Sequence, residues 1–441
     1  MEKKQSFSSN KISTQPYKGA RDFYPSDMAT RNYIFNVWKK VCESFGFEEY
    51  DFPILEPFEI FSAKSGEELV NQQIFSFEDK AGRKLAIRPE LTPGTVRMIA
   101  QRFKELQKPI KWFMIGNNWR FEKPQLGRGR EFFQLEVNTF GVSGVLADLE
   151  IISIIVEIMK GFGADEKMFE VCISDRRLIS ALLNDVLGLN EETSNKTRKI
   201  MDKRQKLSKD GFSELLKEIG LEDNKIEIIE QFMDSNLDNL EKVLDINVLK
   251  ENKGYETIKN LFSYLDNSGL LKYCRFDPSI IRGFDYSDGL VYEVFDKNPN
   301  NKRSMFGGER FDKLINIFGD FELPATGFAM GDITLLEFLK GWNLLPKMDS
   351  KTEFLVTVWP SDESKYLTAS LKTANKLRSA GKNAEIWLET DSKLDKQLKY
   401  ADKKQIPYCL ILGEKELDSG TVTIKDMRAN EQKTMSLNDL I

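Results

Sequence analysis

Between two apolar segments the chain reads Trp119-Arg120-Phe121-Glu122-Lys123-Pro124-Gln125-Leu126-Gly127-Arg128-Gly129-Arg130-Glu131-Phe132, three arginines and one lysine around a turn that carries proline and glycine. Guanidinium groups are planar forks that match phosphate or carboxylate oxygens two at a time, so such a hairpin can grip an anionic ligand. Phe132 and Phe133 would leave the turn on opposite faces of a strand, one free to stack on a flat ligand and the other to enter a core. From the residues alone a solvated charged hairpin is an equally good reading. Upstream, Ile87-Arg88-Pro89-Glu90-Leu91-Thr92-Pro93 sets a carboxylate and a hydroxyl two residues apart on an extended segment. The two share a face and can jointly accept the hydrogens of an ammonium group. A strand exit with a surface glutamate is the alternative there.

The elements around these residues follow from periodicity. Ser26 or Asp27 can cap a helix whose Ile34, Val37, Trp38, Val41, Cys42 and Phe45 recur at helical spacing before Gly46 stops it. Strands are expected at 47–51, 74–78 and 84–87, a helix at 95–106, and strands at 111–115, 118–121 and 132–139 around the charged loop. Residues 148–162 form an apolar helix, and a strand is expected at 290–295 with a helix starting near Ala329. The organisation reads as a loose segment at 1–15, a core at 16–173, a charged helical insertion at 174–271, a return of the core at 272–346, a linker at 347–351 and a separate domain at 352–441. In the last of these, short strands alternate with amphipathic helices, which argues a small α/β domain with a largely parallel sheet.

Composition narrows the chemistry. A chain of 441 residues needs two or three cores, and 41% hydrophobic residues can fill them. Its net charge of −5 is no advertisement for nucleic acid, so such a ligand would have to meet local basic surface. The run from Lys196 to Lys209 is one candidate, with a solvated helix face as the alternative. The four cysteines are widely separated in apolar stretches and read as buried thiols. No apolar leader or membrane-length stretch is present, so a soluble cytoplasmic protein is expected. There is no histidine at all, which removes every mechanism that uses a protein imidazole.

The charged loop resembles motif 2 of the class II aminoacyl-tRNA synthetases. The segment 31–53 resembles their motif 1, and Thr326-Gly327-Phe328-Ala329-Met330-Gly331 resembles the start of motif 3. Ile281-Arg282-Gly283-Phe284-Asp285-Tyr286 and Phe306-Gly307-Gly308-Glu309-Arg310-Phe311-Asp312 resemble the two signatures of the histidyl type. The resemblance runs from about Gln15 to the last residue. It implies an α+β fold: an antiparallel sheet flanked by helices, with a helical insertion domain and a C-terminal anticodon-binding domain. It also implies a homodimer, ATP with Mg2+, and histidine and tRNA-His as substrates. Arg120 and Arg282 would be the catalytic charges on the α-phosphate. Glu90, Leu91 and Thr92 would hold the α-amino end, and Gln134, Asn138, Tyr286, Ser287 and Phe311 would complete the amino-acid pocket with the two arginines. Glu122, Arg128, Arg130 and Phe132 would join Arg120 on ATP, while Lys123, Gln125 and Arg128 would reach the acceptor end of the tRNA.

Several positions depart from the family pattern. Asn138 stands where a carboxylate usually faces the imidazole, Ser287 and Phe311 replace tyrosines, and Glu309 replaces a glycine. Asp332-Ile333-Thr334 follows Gly331 with no arginine, which leaves the far side of the adenine without its usual cover. Glu136 shares a strand face with residue 138 and either supplies the charge from a shifted position or points to solvent. The reading adopted is an active histidyl-type ligase of a divergent branch. A catalytically degenerate paralogue, serving as a regulatory subunit or a sensor of uncharged tRNA, is the alternative.

Replacing Arg282 by Ala should leave the far-UV circular dichroism and melting temperature unchanged while suppressing amino-acid-dependent ATP–pyrophosphate exchange about 100-fold or more. Exchange at the unaltered rate would remove Arg282 from the chemistry.

Overall fold

The computed structural model describes residues 12–63, 69–125, 127–204, 207–281, 289–301, 304–348 and 350–440. Arg282, Tyr286 and Ser287 lie outside the described residues, as does nearly all of the segment expected to be loose. The chain divides into two compact units, Met1–Leu345 and Pro346–Ile441.

In the first unit, helix α1 (Pro25–Ser44) starts with proline in its first turn, where the missing N–H costs nothing. Asp27 accepts from the backbone N–H of Tyr24 at 3.1 Å. Ile34, Trp38 and Cys42 fall one turn apart and are buried. Gly46 follows with φ +76°, a conformation that suits glycine at a helix end. The strands are β1 (Glu48–Glu49), β2 (Leu55–Pro57), β3 (Ser76–Glu78), β4 (Lys84–Ile87), β5 (Ile110–Trp119), β6 (Glu131–Phe140), β7 (Phe169–Asp175), β8 (Cys274–Phe276), β9 (Leu290–Asp296), β10 (Ser304–Arg310) and β11 (Ala325–Gly331). Eight of them form one sheet in the order β1-β5-β6-β11-β10-β9-β7-β8, and β2-β4-β3 form a small second sheet. The six central strands of the large sheet are mutually antiparallel, and only the pairs β1–β5 and β7–β8 at its ends are parallel. This is the α+β architecture expected.

Helix α2 (Phe58–Ser62) follows β2, and α3 (Thr92–Gln101) follows β4. Helix α4 (Val145–Gly161) buries Ile151, Ile152, Ile154, Ile155, Ile158 and Met159 and lies in one core with Trp38 of α1 and Leu135 and Val137 of β6. The charged stretch after β7 folds as α5 (Arg176–Ser180), α6 (Glu191–Met201), α7 (Lys209–Glu218), α8 (Asp223–Met233), α9 (Ile246–Glu251) and α10 (Lys253–Asn267). The side chains of Asn190, Ser208 and Asn252 cap α6, α7 and α10. Phe212, Phe232, Ile258 and Leu261 from this stretch join the same core as α4, so the helices are welded to the sheet and not merely tethered. All four cysteines are buried and free.

Two expectations from periodicity are corrected. The strands placed at 111–115 and 118–121 are one continuous ten-residue strand, because Gly116 and Asn117 stay paired with Gln134 and Phe133. Residues 325–331 are a strand, not the opening of a helix, and helix α11 (Asp332–Gly341) begins after it. The glycines there flatten the strand against its neighbours: a Cβ on Gly327 would sit 1.9 Å from Asn138 Oδ1. Among the described residues no helix is long and apolar enough to cross a membrane.

In the second unit, β12 (Phe354–Val356), β13 (Ala384–Ile386), β14 (Tyr408–Ile411), β15 (Thr421–Asp426) and β16 (Glu431–Ser436) form a sheet in the order β13-β12-β14-β15-β16. Helices α12 (Ser364–Ser379), α13 (Leu394–Lys403) and α14 (Glu414–Ser419) complete it. Only β13-β12-β14 are parallel; β15 and β16 form an antiparallel hairpin, so the sheet is mixed and not largely parallel as expected. The tight turn at 427–430, with Asn430 at φ +56°, makes the hairpin.

Arg310 is buried between Asp148 at 2.6 Å and Asp312 at 3.2 Å, and it also donates to the Val142 and Gly144 carbonyls. Removing one side of a buried pair strands the other charge. Asp148→Ala should therefore destabilise the first unit by about 3 kcal/mol, read from urea unfolding; a loss below about 0.5 kcal/mol, the range of an ordinary surface change, would show the pair to be dispensable.

Candidate active site

The antiparallel register decides which side chains share the site. Along β6, Phe133, Leu135 and Val137 point toward α1 and α4, where Phe133 meets Phe23 and Phe35 and the other two enter the core. Phe132, Gln134, Glu136, Asn138 and Phe140 therefore face the other way. Their partners on β5 are Asn118, Gly116, Met114, Trp112 and Ile110. On the opposite flank, Gln134, Glu136 and Asn138 pair with Gly331, Ala329 and Gly327 of β11. The backbone flanking the polar side chains on β11 is thus glycine and alanine, and the room that Gly327 and Gly116 leave is taken by Asn138 and Leu91. Over this face pass residues 88–92, linking β4 to α3.

At one end Arg120 follows β5. Its Nε donates to the Pro89 carbonyl at 2.9 Å, and its guanidinium carbon lies 5.3 Å from the centre of the Phe132 ring. Its backbone N–H donates to the Arg130 carbonyl, continuing the hairpin into a loop closed by paired Gln125 and Arg128. Gly127 takes φ +76° at the tip. Arg128 reaches back to Glu122 at 3.4 Å, while Lys123 and Gln125 are exposed. Arg130 faces a different set of partners: it donates to the Glu122 carbonyl at 3.1 Å and to the Tyr17 hydroxyl, and its guanidinium lies 4.2 Å from the Phe121 ring centre. The structure therefore brings Arg120 and Phe132 together and sends the Arg130 side chain toward the upstream segment. That segment also tethers the loop, because the Gly19 carbonyl accepts from the N–H groups of Arg130 and Glu131.

Farther along β6, Asn118 Nδ2 donates to Gln134 Oε1 at 2.7 Å and fixes that amide. Asn138 Nδ2 donates to Glu136 Oε1 at 2.6 Å. Glu136 is 1% exposed, which overturns the solvent-facing reading. Burial drives its carboxyl pKa up to about 8, against the pull of hydrogen bonds from Asn138 and Thr92 and with the buried Glu90 pushing the same way; Arg88 opposes them weakly. Tyr50 stacks on Trp112, and its hydroxyl meets Thr95 beside this group. Among the described residues no lysine or arginine forms an ion pair with Glu136.

Leu91 is buried in a small cluster with Phe52 and Met114, so what it can offer a ligand is backbone. Phe311 is buried too, with its ring 6.0 Å from Phe140 in a second apolar cluster that closes the far end of the face. Where the family pattern has an arginine after Gly331, Asp332 is buried instead. It accepts from the Phe133 N–H at 2.9 Å and pairs with Arg21 at 2.8 Å. An open groove of about 650 Å3 lies at the β1 edge; Tyr50 and Trp112 line it together with Glu48, Glu49 and Arg102. Among the described residues there is no group of three acidic or thiol side chains placed to hold a metal ion.

A family model described as histidyl-tRNA synthetase matches residues 19–334, and one described as an anticodon binding domain matches 355–441. The chain belongs to the histidyl-tRNA synthetase family. A histidine–tRNA ligase of Leptospira biflexa is 41% identical over 98% of this chain and 97% of its own. One from Pyrococcus horikoshii is 37% identical over 96% and 97%. Among solved structures, a histidyl-tRNA synthetase of Nostoc superposes with a TM-score of 0.82 at 23% identity, covering 97% of this chain and 98% of that one.

Within this synthetase-family chain, sequence reasoning left Glu136 open between two readings and passed over Asn118 and Tyr50. The alternation Gln134-Glu136-Asn138 was the available signal for the first. For the other two no local signal exists, because Asn118 acts through Gln134 on the neighbouring strand and Tyr50 through a long-range packing contact.

A carboxyl whose pKa is raised on folding adds stability at low pH that is lost as pH climbs from its unfolded value, near 4.5, through its folded value, about 8. Relative to the unaltered protein, Glu136→Gln should therefore gain stability between pH 5 and pH 9, on the order of 4 kcal/mol, from about 1.4 kcal/mol per pKa unit. Urea melts at the two ends of that range measure it, and a constant difference would mean that Glu136 titrates normally.

Proposed function

We propose that this protein is a histidine–tRNA ligase, which activates histidine with ATP and passes the histidyl group to tRNA-His. The observation that carries the proposal is the layout of one strand face. An arginine and a stacking ring lie at one end, and two residues on, about 7 Å along the strand, begins a run of amide and carboxyl groups, Gln134, Glu136 and Asn138, flanked on β11 by glycine and alanine. That layout suits a nucleotide phosphate next to a small polar amino acid. The family membership supplies the rest.

In the first step a carboxylate oxygen of histidine attacks the α-phosphorus of ATP. The bond to the bridging oxygen breaks, and pyrophosphate leaves. Arg120, held by the Pro89 carbonyl, stabilises the charge that builds on the α-phosphate without having to reorganise. Arg282 acts on the same phosphate from its signature loop. Phe132 stacks on the adenine, while Glu122, with Arg128, frames the nucleotide; Arg130, expected there from the resemblance, is instead engaged by Tyr17 and Phe121. Glu90 and Thr92, with the Leu91 backbone between them, take the α-ammonium; Gln134, Asn138, Tyr286, Ser287 and Phe311 surround the rest of the amino acid. Magnesium enters with ATP, held by its phosphates. In the second step a ribose hydroxyl of the tRNA attacks the carbonyl carbon of the adenylate, and AMP leaves. With no histidine in the chain, an α-phosphate oxygen of the adenylate takes the hydroxyl proton. Lys123, Gln125 and Arg128 of the loop meet the acceptor end.

Residues 16–173 and 272–346 then form the catalytic domain, 174–271 its insertion, and 352–441, after the linker 347–351, the domain that binds the anticodon. The enzyme works as a cytoplasmic homodimer.

ATP–pyrophosphate exchange measured with each amino acid in turn tests the function. Exchange with histidine alone is expected; exchange with another amino acid, or with none, overturns it. Arg120→Ala should lower kcat for exchange about 100- to 1,000-fold, the usual cost of removing one transition-state charge partner.

A further inference from the structure

Strand β11 covers the edge of β6 only as far as Gln134, whose partner is Gly331. From there the same edge runs on toward the arginine-rich hairpin, and its N–H groups need other acceptors. Residues 17–21 and Asp332 supply them. The Gly19 carbonyl accepts from Arg130 at 2.8 Å and from Glu131 at 3.2 Å. The Arg21 N–H donates to the Glu131 carboxylate at 3.4 Å, and the Arg21 guanidinium holds Asp332, which takes the Phe133 N–H. Gly19 has φ +90°, and a Cβ there would lie 2.8 Å from Arg130 Cγ, so the two segments meet in a contact that only glycine allows.

Side chains close the contact. The Arg130 guanidinium lies 4.2 Å from the centre of the Phe121 ring and 5.2 Å from that of Tyr17, whose hydroxyl accepts one of its hydrogens. Phe75 meets Tyr17 edge-on at 6.3 Å and Phe121 at 5.5 Å. Arg130, Tyr17, Phe75 and Phe121 are thus a closed ring of contacts that joins both limbs of the hairpin to two distant parts of the chain. The Phe121 N–H adds a bond to the Gln73 carbonyl at 2.7 Å. Arg120 precedes Phe121, and its own N–H donates to the Arg130 carbonyl at 2.9 Å, so the backbone that aims Arg120 is held by this ring. We propose that Tyr17 is a positioning residue for the activation step: acting through Arg130, it keeps the hairpin where Arg120 and Phe132 meet the nucleotide. The proposal rests on the ligase reading. Tyr17 is 50% exposed, so its contacts serve the hairpin more than the core. Arg130 is already committed, with Nε donating to the Glu122 carbonyl at 3.1 Å and a second nitrogen to Tyr17.

The test uses the full-length enzyme and histidine-dependent ATP–pyrophosphate exchange, with rates expressed per active site counted in a single turnover of ATP. Tyr17→Ala should lower kcat about 10- to 50-fold, since displacing a reacting group by about 1 Å costs up to about 100-fold. The KM for histidine should stay within about twofold. Tyr17→Phe, which keeps the ring on Arg130, should recover kcat to within about threefold of the unaltered enzyme. The double variant Tyr17→Ala with Arg130→Ala should lose no more than the worse single variant, because the two residues act as one unit. A kcat per site within about twofold of the unaltered value in Tyr17→Ala would overturn the proposal, even with a lowered melting temperature, because Tyr17 would then be structural only. Additive losses in the double variant would overturn it too. So would a KM for ATP raised about tenfold by Arg130→Ala and untouched by Tyr17→Ala, which would place Arg130 on the nucleotide. If Tyr17→Ala does not fold, Arg130→Lys decides, since it keeps the charge but not the flat face that lies on the rings: an unaltered kcat per site would overturn the proposal. Lack of histidine-dependent exchange in the unaltered enzyme is a different failure, which removes the ligase function and this proposal with it.

Discussion

Everything at the site depends on the period-two alternation of β6, locked in register on both sides. A slip of one residue would turn Gln134, Glu136 and Asn138 into the apolar core and send Leu135 and Val137 into the ligand space. What prevents the slip is the other face of the same strand, where Leu135 and Val137 are fully buried against α1 and α4. The strand is fastened again at its entrance, where the Phe133 N–H is bound by Asp332 and Asp332 by Arg21. The hydrophobic side thus sets the geometry of the polar side, and the cost of burying Glu136 is met by packing elsewhere.

Much of this was legible in the sequence wherever the pattern was local. The helical spacing through Ile34, Trp38 and Cys42, the two strands flanking the arginine-rich turn, and the charged helical stretch after residue 174 each come from short-range periodicity, and helices and strands stand at those places, although the first helix begins at Pro25, ahead of the caps expected at Ser26 or Asp27. The failures have physical causes. Gly116-Asn117 looked like a break, yet both residues keep their ladder partners, because a central strand tolerates a glycine when its neighbour needs the room. A helix was expected to start near Ala329, but residues 329–331 stay paired with β6 and the helix begins only at Asp332. The hairpin of β15 and β16 carries alternating polar residues and little apolar signal, so its pairing is visible only in three dimensions.

The site followed the same division. Arg120 and Phe132 stand out by type and position, whereas Gln134 came only from the family resemblance. Arg128 and Arg130 belong to the same sequence stretch, but spacing could not show that one would pair with Glu122 and the other with Tyr17. The burial of Glu136 was equally hidden, because a glutamate in an alternating strand reads the same whether its face meets water or a cleft. Without a histidine in the chain, the charges at this site come from arginines, which stay ionised over the whole accessible range, and from carboxyls. The group placed to respond near neutrality is the one burial has shifted, Glu136.

The upstream segment has a wider meaning than its length suggests. Two backbone hydrogen bonds to the Gly19 carbonyl and the grip of Tyr17 on Arg130 stitch it to the far limb of the arginine-rich hairpin. A pull on that thread, from a fusion, a cleavage or a bound neighbour, is transmitted directly to the root of the loop. Residues 17–19 therefore brace the arginine-rich hairpin from outside its own sequence.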